Sequence, residues 1–306
     1  MAKLTRETFK SLGHRVCIYG PPKSGKSRLV AMLAEAGFTI DWFDLENGLQ
    51  TLQQLSDEAL ERINYYKIPD TPLNPVGIVT LGKIFTARGE VTMCEEHAVI
   101  TCPICMKNPN ANFAKFDYTN LRDPNHVVVI DSVTQLTNSA NARSGAKQLR
   151  ELYIESANHK MEWDEWGYAG MLLTHIFGSL QQSNFNVVCI SHEDMVEQTD
   201  SKKQIVPVAG TRNYSSSFGK YFDHVIYCYR ENSSHKTASS TQFRANVLSG
   251  SRTNADTSLH TLADILRSEV VARKEVNPVA TGTTTVKSAA GAGQGIAGKL
   301  LQRTKA

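Results

Sequence analysis

Two groups of residues in this sequence have the types and the spacing to do chemistry. The first is Gly20, Pro21, Pro22, Lys23, Ser24, Gly25, Lys26 and Ser27, followed by Arg28, a run that fits GxxxxGKS at every fixed position. Glycine lets backbone N–H groups turn inward around an anion, and a helix beginning at such a loop adds its own amino-terminal N–H groups. In that geometry Lys26 would reach the β- and γ-phosphates of a nucleoside triphosphate, and the Ser27 hydroxyl would hold Mg2+. The bland alternative is a Gly/Pro-rich surface turn. The second group is Cys94 and His97, then Cys102 and Cys105, written CEEHAVITCPIC. CxxH followed by CxxC supplies soft N/S ligands in two tight knuckles with no open position, the pattern of a structural zinc site. Pro103 stiffens the second knuckle, and the alternative is a set of scattered surface thiols.

The elements needed to position these residues can be read around them. The apolar run 15–19 precedes the phosphate loop as a strand, and 28–36 follows it as a helix that Gly37 stops. A second buried strand, 38–45, ends in Asp44, Leu45 and Glu46, which places acids at the carboxyl end of a strand, where open α/β sheets keep their ligands. A helical stretch 49–63 and a short strand 65–68 follow. Residues 69–125 then break the rhythm and read as an insertion, with an amphipathic piece at 78–86 and the zinc-knuckle element at about 90–108. HVVVIDS, 126–132, has the β-branched continuity of a central parallel strand, and Asp131 at its end suits the Mg2+ shell. A polar stretch 137–147 leads into a long helical region reaching Gln181. The strand 185–192 ends in His192. Residues 193–220 are polar and Gly/Ser-rich, the composition of a mobile loop; strands at 224–230 and 243–250 and an amphipathic helix in LHTLADILRSEVV complete the chain.

Composition narrows the class. With 306 residues, 41% of them hydrophobic, the chain can bury a large α/β core, and it shows no apolar run of membrane-spanning length, so the expected compartment is the cytoplasm. The formal charge of +3 is carried by the tail: 276–306 holds Lys287, Lys299, Arg303 and Lys305 with no acid, which leaves residues 1–275 slightly acidic. Nucleic-acid contact must then come from local loops or the tail. The tail's Ala/Gly/Thr composition cannot offset its ordering entropy, so 276–306 is expected to be disordered, either solubilising or partner-binding. Cys17, Cys189 and Cys228 sit in apolar runs and read as core, and Trp42, Trp163 and Trp166 read as core or helix-packing residues.

The order of these parts resembles the RecA superfamily: a phosphate loop, a strand ending in Asp-x-Glu (Asp44 to Glu46), an apolar strand ending in Asp-Ser (VVVIDS) and a strand ending in a polar γ-phosphate sensor (CISH). The resemblance implies an α/β RecA-like P-loop NTPase core over 1–275, a mainly parallel sheet flanked by helices, carrying the zinc-ribbon-like insertion. It implies ATP and Mg2+ as ligands, Glu46 as the base that activates water and His192 as the sensor. RecA recombinases carry Gln at the sensor position, so His192 is a departure. The likeness extends over roughly 14–270, apart from the insertion, to smaller RecA-like ATPases encoded by phages and assigned to single-strand DNA annealing and recombination. WDEWGYAGMLLTHIF, SHEDM and VPVAGTRNYSSSFGKYFDHVIYCYREN carry it.

In RecA-like proteins the loops after the Asp-Ser strand and after the sensor strand face DNA. Here those are 138–150, with Arg143, Lys147 and Arg150, and 193–220, with Lys202, Lys203, Arg212 and Lys220; Tyr214 or Phe218 could stack on bases. Arg212 or Lys220 could instead act as a finger on a neighbouring subunit's γ-phosphate, and plain solvated charge is the third reading. The expected function is Mg2+-dependent ATP hydrolysis coupled to single-stranded DNA annealing, in a homo-oligomeric ring or filament, with a single-strand-binding or replication protein as a possible tail partner and no membrane. The alternatives are a non-catalytic nucleotide-binding adaptor and a hexameric helicase-type motor.

Overall fold

In the computed structural model, residues 13–145, 160–197, 202–239, 246–253, 255–257 and 259–267 are described. Strand β1 (Arg15–Gly20) shows why a sheet forms at the centre: Val16 and Ile18 point to one face, Cys17 and Tyr19 to the other, and all four are fully buried. The same two-sided alternation runs through β2 (Thr39–Asp44), β6 (His126–Asp131) and the first half of β7 (Asn186–Glu197). Side chains of period two with both faces apolar require cover on both sides, the signature of a parallel sheet between helices. Fully burying each Val, Ile or Leu contributes about 1.5–3 kcal/mol, so this central block is what the rest packs onto.

The sheet order is β10-β9-β1-β7-β6-β2-β3, with β3 at Ile63–Lys67, β9 at His224–Glu231 and β10 at Ser234–Ala238. From β9 through β3 every neighbouring pair is parallel; β10 is antiparallel on the edge, β8 (Lys203–Pro207) pairs with the far end of β7, and β11 (Gly250–Ser251) with β9. Helices α1 (Lys26–Glu35) and α7 (Leu262–Leu266) cover one face through Val30, Leu33, Leu262 and Ile265. Helices α3 (Val76–Thr86), α4 (Val133–Ser144) and α5 (Trp163–Gln181) cover the other through Leu81, Leu136, Leu173 and Phe177. The α/β class with a mainly parallel sheet and flanking helices is therefore as expected.

Several expectations are corrected. The stretch 49–63 is no continuous helix: a 3-10 turn (Leu49–Gln54) gives way to the four-residue α2 (Asp57–Leu60), because Ser56 is extended and caps α2 by accepting from Ala59 N. The polar stretch from 137 is helical, since α4 starts at Val133 under a Ser132 cap and buries Leu136, Thr137 and Ala140. Residues 193–220 are folded where described: β7 runs on to Glu197 and returns as β8, followed by α6 (Arg212–Ser217) and a 3-10 turn (Phe218–Tyr221). Its Gly/Ser content concealed an aromatic cluster of Tyr214, Phe218, Tyr221 and Phe222 against Phe177 of α5. Trp42 is core, whereas Trp163 is 91% exposed at the first position of α5 and Trp166 is half-buried. Within 69–125, α3 joins the main core, while the antiparallel pair β4 (Val91–Cys94) and β5 (Phe113–Phe116) lends it Met93, Ala114 and Phe116. Of the strand expected at 243–250, the described part shows a single parallel bridge from Val247 to Ile205 and, at its end, β11. The tail, 276–306, lies outside the described residues, as do Lys147 and Arg150.

A nucleotide cleft and a cysteine cluster

The phosphate loop leaves β1 with Gly20 at φ 150°, where a Cβ would lie 2.0 Å from the Cys228 carbonyl oxygen, so only glycine passes there. Lys23 (φ 62°) and Gly25 (φ 90°) complete the turn, and Gly25 is the cap of α1. Lys26, on the first turn of α1, curls back so that its Nζ donates to the carbonyl oxygens of Gly20 (3.0 Å) and Pro21 (2.9 Å). Burial lowers its pKa. The backbone around the loop is held by Ser24 N donating to Pro21 O, while the Ser24 hydroxyl is buried without a partner.

The loop, the acids and His192 converge on one cleft of about 360 Å3, lined by Lys23, Gly25, Lys26, Ser27, Arg28, Glu46, Asp131, Ser132 and His192 among others. The convergence follows from the sheet order: β1, β7, β6 and β2 are neighbours and parallel, so their carboxyl ends meet, with Gly20 opposite His192 and Asp44 opposite Asp131. Asp131 is buried; burial and the nearby Glu46 carboxylate push its carboxyl up to about 7, against the opposing pull of the Ser27 hydroxyl. Ser27 and Asp131 together are hard oxygen donors, the set a Mg2+ ion takes, and a buried carboxylate crowded by another is the group a dication would relieve. The Asp131–Ser132 peptide is cis.

Glu46 is aimed by its neighbours. Asp44 folds the turn after β2, accepting from Glu46 N (2.8 Å), Gly48 N (2.6 Å) and the Tyr65 hydroxyl (2.5 Å). The Ser132 hydroxyl donates to Glu46 Oε1, and His192 Nε2 lies 3.4 Å from the same oxygen. His192 and Ser132 hold the Glu46 carboxyl below its ordinary range in spite of partial burial. His192 is fixed through its backbone: its N–H donates to Thr134 Oγ1 (2.9 Å), and its carbonyl accepts from Val208 N (2.9 Å) just past β8. Its Nδ1 is buried and unpartnered. The arrangement can bind a polyphosphate, hold a hard dication and present a carboxylate base beside an imidazole.

Thr134, Asp44 as a turn clamp, and His235 were not identified from the sequence as parts of the site. Thr134 follows the Asp-Ser pair on α4, where the register of a helix just begun carries no motif. His235 reaches the loop from the edge strand β10, Nδ1 2.9 Å from Ser24 O, and nothing local in the sequence marks it.

The cysteine cluster is brought together as expected. The ligand atoms of Cys94, His97, Cys102 and Cys105 all lie within 4.8 Å of one another. His97 Nδ1 is 3.1 Å from Cys105 Sγ, 3.8 Å from Cys102 Sγ and 4.0 Å from Cys94 Sγ. Ala98 (φ 50°) and Thr101 (φ 56°) make the reverse turns, and the three thiols are buried with Val99 and Ala111 packed on them. Three sulfur donors and one nitrogen converging at this range suit a closed tetrahedral metal site.

The basic residues expected to meet DNA are dispersed. Arg143 is exposed on the last turn of α4, Lys202 and Lys203 are exposed at the start of β8, and Arg212 is exposed at the start of α6. Lys220 lies over the Tyr221 ring, Nζ 4.9 Å from its centre. Phe218 is fully buried, which removes it as a stacking platform, and Tyr214 is half-buried in the same aromatic cluster. No helix among the described residues is long and apolar enough to cross a membrane.

Comparison with known proteins adds a family. The model of the family described as AAA domain matches residues 12–254. Among solved structures, the chain is similar to the flagellar accessory protein FlaH from Methanocaldococcus jannaschii at 12% identity and a TM-score of 0.32, over 77% of this chain and 83% of that one. No curated protein matches.

Proposed function

This chain belongs to the AAA domain family, and we propose that it is a Mg2+-dependent ATPase of RecA-like mechanism whose γ-phosphate state controls a grip on single-stranded DNA. The observation that carries the reading is the single cleft shared by Lys26, Ser27, Asp131, Glu46 and His192. Lys26 would exchange its loop carbonyls for phosphate oxygens, a swap of neutral acceptors for charged ones that favours binding. Bound Mg2+, held by Ser27 and Asp131, would supply neutralisation of developing phosphate charge. Glu46 orients and deprotonates the attacking water, and the Ser132 hydroxyl and His192 keep its carboxylate ionised and pointed.

The link from γ-phosphate to DNA rests on β7. His192 sits where this strand leaves the sheet core, and the five residues that follow it on the same strand pair with β8, which carries Lys203 and begins beside Lys202. A shift of the imidazole toward a γ-phosphate would therefore move a hairpin that presents Lys202 and Lys203 alongside Glu193, Asp194 and Glu197, a two-state element that nucleotide can bias. We assign annealing and recombination as the process, with a homo-oligomer as the working form and Arg212 or Lys220 as candidates for a finger in trans. The Cys94, His97, Cys102 and Cys105 cluster is assigned to structural zinc. The test is the affinity of the full chain for a labelled single-stranded oligonucleotide with Mg2+·ATP and with Mg2+·ADP. Tighter binding with ATP, weakened by Lys202→Ala with Lys203→Ala, is expected; equal affinity in both nucleotides would overturn the switch.

A further inference from the structure

A second cavity lies on the opposite flank of the phosphate loop from Glu46 and His192. The sheet order fixes the sides: the acids and the sensor come from β7, β6 and β2, whereas β9 and β10 lie beyond β1 in the other direction. A triphosphate whose γ-phosphate meets Glu46 must send its nucleoside toward β9 and β10. On that flank is a cavity of about 300 Å3 walled by Leu29, Ile226 and Leu262, with Thr237 and Thr257 on its polar side and Leu259 at its rim.

Two elements run from one cavity directly into the other. On α1, Ser27 and Arg28 line the phosphate cleft and Leu29 lines the second cavity. On β10, His235 lines the cleft and Thr237 the second cavity, and residues two apart on a strand share a face about 7 Å apart. The wall of the second cavity also carries an unsatisfied group just beneath its surface: the Thr257 hydroxyl is buried with no hydrogen-bond partner, although the Thr257 backbone N–H is anchored by Ser239 Oγ at 3.0 Å. A buried hydroxyl left without a partner costs free energy that a ligand able to hydrogen-bond would recover. Leu259 is 70% exposed, a large apolar side chain held at the mouth with nothing to cover it among the described residues.

We infer that this cavity is the nucleobase subsite of the nucleotide whose phosphates occupy the loop, with Leu29, Ile226 and Leu262 against the ring faces, Thr257 hydrogen-bonding a ring edge and Leu259 closing over it. An apolar slot with a few placed hydroxyls is the chemistry a flat heteroaromatic base requires. The inference rests on the ATPase reading above and names where that ligand's other end lies.

The experiment compares the affinities of ATP and inorganic tripolyphosphate, each with Mg2+, for the full chain and for Leu259→Ala and Thr257→Val. Tripolyphosphate reports the loop alone and also verifies that each variant is folded. Losing most of a leucine side chain from the base contact should weaken ATP by about tenfold while tripolyphosphate affinity stays unchanged. Thr257→Val should act in the same direction. ATP affinities unchanged in both variants, or equal losses for ATP and tripolyphosphate, would overturn the subsite while leaving the loop assignment intact. Wild-type protein that binds neither ligand would overturn the ATPase reading and the subsite with it.

Discussion

Replacing Glu46 by Gln separates the chemistry of the cleft from its binding. The amide keeps the volume and an oxygen to accept from the Ser132 hydroxyl, so the turn that Asp44 clamps stays in place. What is lost is the negative charge, which His192 and Ser132 keep ionised at neutral pH. A positioned general base is worth about 10^2–10^4 in rate, or roughly 3–5 kcal/mol of barrier. Binding moves the other way. Glu46 is, after burial, the main cause that raises Asp131 to about 7, so without that charge Asp131 ionises more readily at neutral pH and suits a dication better. Single-turnover quench of ATP hydrolysis, with nucleotide affinity measured in parallel, should show the rate down by at least about 100-fold and ATP held as tightly as before or tighter. A rate loss below tenfold, or an affinity loss matching the rate loss, would refute the assignment of Glu46 as base.

Further outcomes follow from the same geometry. Thr134→Val removes the acceptor of the His192 N–H and should destabilise the fold by about 1–3 kcal/mol in urea titrations while slowing hydrolysis; unchanged stability and rate would show that Thr134 does not hold the sensor strand. Burial, and then the neighbouring His14, lower His224 to about 4 from 6.5. The unfolded chain therefore takes up that proton first as pH falls. The stability linked to it is complete above about pH 6.5 and drains by roughly 3 kcal/mol toward pH 4, a slope that His224→Gln should flatten. Stoichiometric zinc is expected in purified protein by elemental analysis. Chelation or Cys102→Ser should remove it and lower Tm, because the hairpin lends Met93 and Phe116 to the main core; protein that is folded and zinc-free from the outset would remove the site.

Much of the site is legible in the sequence because its chemistry demands fixed local patterns. The loop needs Gly at 20 and 25 for its dihedrals and close approach, and β-branched runs ending in Asp131 and His192 announce parallel strands with ligands at their carboxyl ends. The two Cys and His knuckles are likewise local in spacing. Contacts that depend on register across the sheet are not legible in this way. His235 reaches Ser24 only because β10 folds back on β9, and Thr134 supports His192 only because β6 and β7 are neighbours. The 193–220 segment misleads for a related reason. Gly210 turns the chain into α6, Thr211 caps it and Ser215, Ser216 and Ser217 lie within it, while the aromatics spaced among them assemble a core that only the packing against Phe177 reveals.

The most direct test of the ATPase assignment is phosphate release from Mg2+·ATP by the full chain and by Lys26→Ala, with and without single-stranded DNA. The cleft predicts release that requires Mg2+, rises with the DNA and disappears with Lys26. Tight ATP binding with no phosphate released under any of these conditions would contradict it.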